Sequence, residues 1–196
     1  MITLKHVLAL IILIALMAIA GCEQDEDEIS RLNSSIEEIT GGAFEAPLHE
    51  DYPLVYAYLR KPLVEIDNGP YFINLQYSID DVELVKVYED EAMVKKVEES
   101  QGISILYGPY EGTTPIMIEY SSVFKYAGIS GADEIGNWNI NGQEVEYAYI
   151  NRQGREVISA YLNLDEAGIN VTYFLSDIFT EEDTKVFTAY LVNELY

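Results

Sequence analysis

Apolar residues follow three different rhythms along this chain. From Val7 to Gly21 they run without interruption for about fifteen residues. Ile29, Leu32, Ile36 and Ile39 then recur at intervals of three and four, with Gly41-Gly42 just beyond. That spacing predicts a short amphipathic helix closed by glycine. A short strand is predicted within "YPLVYAYLRKP", between two prolines. From Leu63 onward the rhythm is mostly two, which predicts strands. "LVEID" and "YFINLQYSI" flank "NGP", a turn signal; "VELVKVYE", "ISILYG" and "PIMIEYSSVFKYAG" follow. Inside this region "DEAMVKKVEESQG" breaks the alternation. Met93, Val94 and Val97 share one helical face and Gly102 closes it.

The last third carries the sharpest signals. In "EIGNWNINGQEVEYAYINR" Trp138 and Ile140 alternate with asparagines, and Val145, Tyr147 and Tyr149 resume the alternation beyond Asn141-Gly142. Asn-Gly takes the positive φ values of a type I′ turn, so this stretch predicts a hairpin. "EVISAYLNLD" and "INVTYFLSD" make a second pair around "EAG". In "TEEDTKVFTAYLVNEL" Thr180 precedes Asp183 by three, a capping-box spacing, and the early acids favour the helix dipole. Val186, Phe187, Tyr190 and Leu191 give that helix an apolar face. The sum is an α+β fold: an antiparallel sheet of about seven to nine strands, an inserted helix, and a C-terminal helix packed on one face.

The first apolar run is short for a bilayer, which takes roughly twenty residues to cross, and suits the h-region of a signal peptide. It ends in "IAGC", where Ala20 and Gly21 precede the only cysteine, Cys22. This resembles the lipobox of bacterial lipoproteins. The resemblance implies cleavage between Gly21 and Cys22 and a diacylglycerol on the Cys22 thiol. Two acyl chains give a stable anchor, at about 0.8 kcal/mol per buried methylene, where one holds marginally. The competing readings are a plain secretory signal and an uncleaved anchor. Palmitate-type lipidation uses the single thiol, so the mature domain has no disulfide and depends on its own core.

After Cys22, "EQDEDEISRLNSS" is acidic and polar, a composition that resists packing and extends by self-repulsion. Thirteen such residues reach roughly 45 Å at most. The expected organisation is a lipoprotein signal peptide at 1–21, the lipidated cysteine and acidic tether at 22–35, and a single α+β extracytoplasmic domain at 36–196.

Charge narrows the partners. The chain has 34 acidic and 11 basic residues, a net charge of −23, and loss of 1–21 removes only Lys5 among them. So acidic a domain lacks the basic face that nucleic acid requires, and direct docking on anionic lipid is disfavoured. Two causes fit the acidity: an alkaline or saline habitat, or a cationic partner. The acids are spread along the chain, which favours habitat. The 16 tyrosines suit half-buried strand surface and would also suit a binding face.

The order of Asn-Gly hairpin, tyrosine-rich strands and closing helix over Glu134 to Leu195 resembles a small domain of unknown function found in bacterial membrane-anchored, lipoprotein-carrier-like proteins. That resemblance implies an extracytoplasmic, non-enzymatic module with an apolar surface between sheet and helix.

No catalytic constellation emerges. His6 lies in the signal, leaving His49 in "APLHEDYP", and one histidine without thiols makes no structural zinc site. His49 reads as a surface residue. Ser122 and Lys125 in "SSVFK" have the spacing of a serine–lysine pair, but an interval of three on a strand puts them on opposite faces. Asn137, Asn139, Asn141 and Gly142 imitate an EF-hand loop, but the first position lacks a carboxylate and the twelfth is Ala148. No cofactor or metal is implied.

The expectation is a lipid-anchored extracytoplasmic binding or accessory protein of the bacterial cell envelope. Its partners are the membrane, through Cys22, and an unidentified protein, cell-wall or small-molecule ligand. The alternatives are a carboxylate-dependent cell-envelope hydrolase and a membrane-proximal regulatory or assembly module.

Overall fold

The computed structural model describes residues 28–60, 71–80, 85–88, 90–122, 131–164 and 167–196. The expected signal segment with Cys22, the start of the expected tether, the 63–67 stretch and Lys125 lie outside them. The chain forms two compact units, Met1–Ala46 and Pro47–Tyr196.

In the first unit, helix α1 covers residues 28–40. It ends as glycine at a helix C-terminus dictates: Gly41 and Gly42 have φ of 65° and 81°, conformations that a side chain disfavours. The expected boundary at residue 36 falls inside this unbroken helix, so residues 28–35 are helical.

The second unit holds, in chain order, β1 (Leu54–Arg60), β2 (Phe72–Tyr77), α2 (Glu91–Gln101), β3 (Ile103–Tyr107), β4 (Ile116–Ser121), β5 (Glu134–Ile140), β6 (Gln143–Arg152), β7 (Arg155–Asn163), β8 (Gly168–Phe174) and α3 (Glu181–Leu195). The eight strands form one antiparallel sheet in the order β3-β1-β2-β4-β8-β7-β6-β5. The α+β architecture, the inserted helix and the closing helix stand as the sequence pattern predicts. One stretch differs. Described residues 85–88 of "VELVKVYE" form no strand; Lys86 forms an isolated bridge with Tyr110. Alternation needs a neighbouring strand, and the outer side of β1 is taken by β3.

Register sorts the side chains onto two faces. Ile73, Tyr120, Ile169 and Leu162 lie in one line across β2, β4, β8 and β7, and all are buried. Tyr77, Ile116, Tyr173 and Ile158 lie in a second line on the same face, and these are buried too. Helix α3 packs on this face. The Phe187 ring meets Tyr77 at 5.3 Å, Tyr52 at 5.5 Å and Tyr173 at 6.3 Å. The buried stripe of α3 is Thr184, Phe187, Thr188, Leu191 and Val192, while Val186 is 52% exposed. Apolar type alone favours Val186 over the threonines. The threonines go inward because their hydroxyls are satisfied there: Thr184 donates to the Glu181 carbonyl at 2.6 Å and Thr188 to the Thr184 carbonyl at 2.7 Å. Thr188 Oγ1 thus spends its proton on the helix, so the Tyr173 hydroxyl donates to it at 2.7 Å.

Two hairpin turns fix the register of β5, β6 and β7. Asn141 and Gly142 have φ of 51° and 85°, the type I′ values anticipated for Asn-Gly. Gln153 and Gly154 do the same between β6 and β7, at 56° and 78°. The second turn escapes a sequence reading because glutamine rarely takes positive φ.

Replacing Asn141 and Gly142 together by valine puts two β-branched residues at positive φ. Cooperative unfolding should shift by about 2 kcal/mol or more, and an unchanged melting temperature would refute the turn's role. Burial also sets the alkaline limit. Desolvation raises the Tyr56 and Tyr120 phenols to about 12 from 10.0, and raises Tyr77 and Tyr173 further. Below pH 10 both folded and unfolded chains keep these protons. Above it the unfolded chain releases them first, so stability is lost as pH climbs from about 10 through about 12. Thermal unfolding followed by circular dichroism should show the decline starting near pH 10.

Candidate functional site

A cleft of about 370 Å³ opens where β5, β6 and β7 meet the start of α3. Its size falls within the range of small-molecule sites. Glu134, Tyr147, Tyr149, Glu156, Ile158, Leu175, Ser176, Thr180 and Glu181 line it. Ladder register explains the first of these. Glu134 pairs with Tyr149, which pairs with Ile158, so the three side chains stand in line on the α3-bearing face. Glu156 is two pairs further along β7, opposite Asn151 and so on the same face.

Each tyrosine hydroxyl is aimed at a carboxylate. Tyr147 donates to Glu134 Oε1 at 2.7 Å and Tyr149 to Glu156 Oε1 at 2.5 Å. Asn151 Nδ2 adds a second bond to Glu156 Oε1 at 3.2 Å. The hydrogen bond to Glu134 holds the Tyr147 phenol above its ordinary value, with desolvation and the charges of Glu134 and Glu181 adding to it. The bond to Glu156 does the same for Tyr149. Both phenols therefore remain donors, and both glutamates spend an oxygen accepting from them.

Gly136 makes the first pair possible. It lies opposite Tyr147, and a Cβ there would meet the Tyr147 hydroxyl and ring at 2.7–2.8 Å. The absence of that carbon lets the Tyr147 ring lie over β5 toward Glu134. Trp138 stacks on the ring, with centroids 4.6 Å apart and planes 18° from parallel.

The α3 end of the cleft is built by its cap. Thr180 and Asp183 form the capping box the sequence anticipates, with the Thr180 N–H donating to Asp183 Oδ2 at 2.7 Å. Those bonds hold the Asp183 carboxyl below the usual range. Glu181, next in the chain, faces the cleft and also pairs with Lys185 at 2.9 Å. Just before β5, Arg152 at the end of β6 bridges Asp133 at 2.7 Å and donates to the Gly131 carbonyl at 2.5 Å.

Other residues singled out from the sequence lie apart from this cleft. Cys22 and Gly21 are outside the described residues. His49 differs from a surface histidine: it is half-buried, 4.6 Å from the Tyr190 ring, 4.8 Å from Tyr52 and 5.7 Å from Phe187. Its Nδ1 accepts from the Asp51 N–H at 3.1 Å, which makes it a packing and turn residue. Ser122 Oγ accepts from the Tyr71 N–H at 3.3 Å. Asn137 and Asn139 pair with Glu146 and Glu144 in the hairpin. Among the described residues no group of three or more His, Cys, Asp or Glu side chains is placed to hold a metal ion, and no helix is long and apolar enough to cross a membrane.

The cleft residues Glu134, Tyr147, Tyr149, Glu156, Thr180 and Glu181 are not assigned to a site by sequence reasoning. A signal for the first three exists. The Asn141-Gly142 turn sets Ile140 against Gln143, and counting back from there places Glu134 opposite Tyr149 and Gly136 opposite Tyr147. No such count brings Glu156 or the start of α3 alongside. No family model matches the chain, and neither does any curated protein or solved structure.

Proposed function

We propose that the chain is a lipid-anchored extracytoplasmic binding protein of the bacterial cell envelope, and that its cleft takes a small organic cation. The anchor reading rests on Cys22 and the small residues before it. The ligand reading rests on one observation, the cleft in which two tyrosine rings and an apolar floor stand among glutamates. Ile158 is buried and Leu175 half-buried beneath the opening. None of the described lining residues is basic, and Lys185 meets the lining only through Glu181. An ammonium or guanidinium group with an apolar body satisfies both halves of the lining: charge toward Glu134 and Glu156, hydrocarbon toward the rings and Ile158.

The same geometry argues for binding over hydrolysis. A carboxylate-based hydrolase needs one carboxyl that carries and delivers a proton. Glu134 and Glu156 are each arranged as acceptors, held by a phenol that gives its own proton to the contact.

Two experiments test the two halves. Cys22→Ala should abolish incorporation of radioactive palmitate and leave the unprocessed precursor; persistent labelling removes the anchor. For the cleft, millimolar benzylamine should raise the melting temperature of the full-length chain in detergent, whereas its neutral counterpart benzyl alcohol should not. Glu134→Gln with Glu156→Gln keeps an acceptor for each phenol and loses both charges, so the benzylamine response should vanish. An equal response to amine and alcohol would overturn the cation assignment.

A further inference from the structure

The cleft holds its two phenol-bonded glutamates at separate places, and the ladder sets their separation. Glu134 stands on β5 and Glu156 on β7, with β6 between them. Glu134 is in line with Tyr149 and Ile158, and Glu156 lies two residues along β7 from Ile158. At about 4.8 Å between strands and 3.3 Å per residue, the two glutamate Cα atoms stand roughly 12 Å apart. Their side chains turn to different partners. The Tyr147 hydroxyl reaches across Gly136 and bonds Glu134 at 2.7 Å. The Tyr149 hydroxyl and Asn151 Nδ2 bond Glu156 at 2.5 and 3.2 Å. The phenols register the same division. Besides its bond to Glu134 and its desolvation, Tyr147 is raised by the charges of Glu134 and Glu181; besides its bond to Glu156 and its desolvation, Tyr149 is raised by those of Glu156 and Asp133. The lining therefore runs from an acid through the Tyr149 ring and Ile158 to a second acid.

We infer that the cleft takes a linear diamine, with one ammonium at Glu134 and the other at Glu156. The inference rests on the cation reading of this cleft and narrows it to a ligand with two charged ends. One ammonium does not serve both carboxylates. With hydrogen bonds of about 2.8 Å, it bridges oxygens no more than roughly 6 Å apart. A ligand with a single charge thus leaves one glutamate without a counter-charge. Allowing about 2.8 Å at each end of a span of roughly 12 Å leaves roughly 6 Å between two nitrogens, which about four methylenes cover. Those methylenes cross the Tyr149 ring and Ile158, where burial of hydrocarbon adds to the two ion pairs. A compact divalent metal ion is favoured less, because it needs several oxygens converging on one point. Among the described residues no group of three or more ligating side chains converges in that way.

Titration calorimetry on the full-length chain in neutral detergent reads the two ends separately. Putrescine, the four-methylene diamine, should bind at least about tenfold tighter than butylamine, because its second ammonium meets a carboxylate already in place. Affinity should fall for the three-methylene diamine, whose nitrogens are too close to reach both glutamates. Glu134→Gln and Glu156→Gln, made singly, each keep an acceptor for the phenol. Each should bring putrescine down to the affinity of butylamine, while butylamine itself stays within about threefold of its wild-type affinity, since one carboxylate remains. Magnesium ion at the concentration of the diamine should not displace it. Equal binding of putrescine and butylamine would overturn the inference and leave the cation reading standing. A diamine affinity that ignores chain length and yields to magnesium would overturn it as well, as general screening of a chain of net charge −23. If neither amine binds, the cation reading fails and the diamine falls with it.

Discussion

The second unit depends on how α3 covers one face of the sheet. Phe187 is fully buried and its ring meets Tyr52, Tyr77, Tyr173 and Tyr190. Around that apolar contact runs a polar seam from the Tyr173 hydroxyl through Thr188 to the Thr184 carbonyl. A buried hydroxyl without a partner costs a few kcal/mol, and this seam leaves none of these three in that state. Apolar packing alone would tolerate sliding of the helix along the sheet. The hydrogen bonds do not, so they fix where α3 begins. Thr180 and Glu181 consequently stand beside Tyr147 and Tyr149, and the cleft exists because the seam is in register.

Tyrosine is used in two ways, and the difference explains why a chain so acidic can carry so many. Inside, buried phenols donate to buried acceptors: Tyr77 to the Pro47 carbonyl at 2.9 Å, and Tyr173 to the Thr188 hydroxyl at 2.7 Å. At the cleft, the phenols face carboxylates. A phenol is a donor that brings no positive charge, so it satisfies Glu134 and Glu156 without neutralising them. An arginine in the same place would cancel that negative charge. The pairs Tyr147–Glu134 and Tyr149–Glu156 thus order the carboxylates and leave the cleft negative.

By itself the sequence determined the local structure: where strands alternate, where Asn141-Gly142 turns the chain, how Thr180 and Asp183 start α3, and that Gly41-Gly42 and Gly102 end helices. Each of these is decided by interactions within a few residues, which a linear pattern records. It also carried the IAGC stretch ending at Cys22, whose resemblance to a lipobox is read without a fold. Only tertiary structure decided which neighbours the elements took. It set Val85 and Val87 outside the sheet because β3 occupies the edge of β1, and it turned Thr184 and Thr188 inward because the Tyr173 hydroxyl meets Thr188. It packed His49 among aromatic rings and brought Glu156 and Glu181 to a cleft whose other wall is β5. Those outcomes rest on contacts between residues far apart in the chain, where the energy of an arrangement depends on partners that no local pattern names.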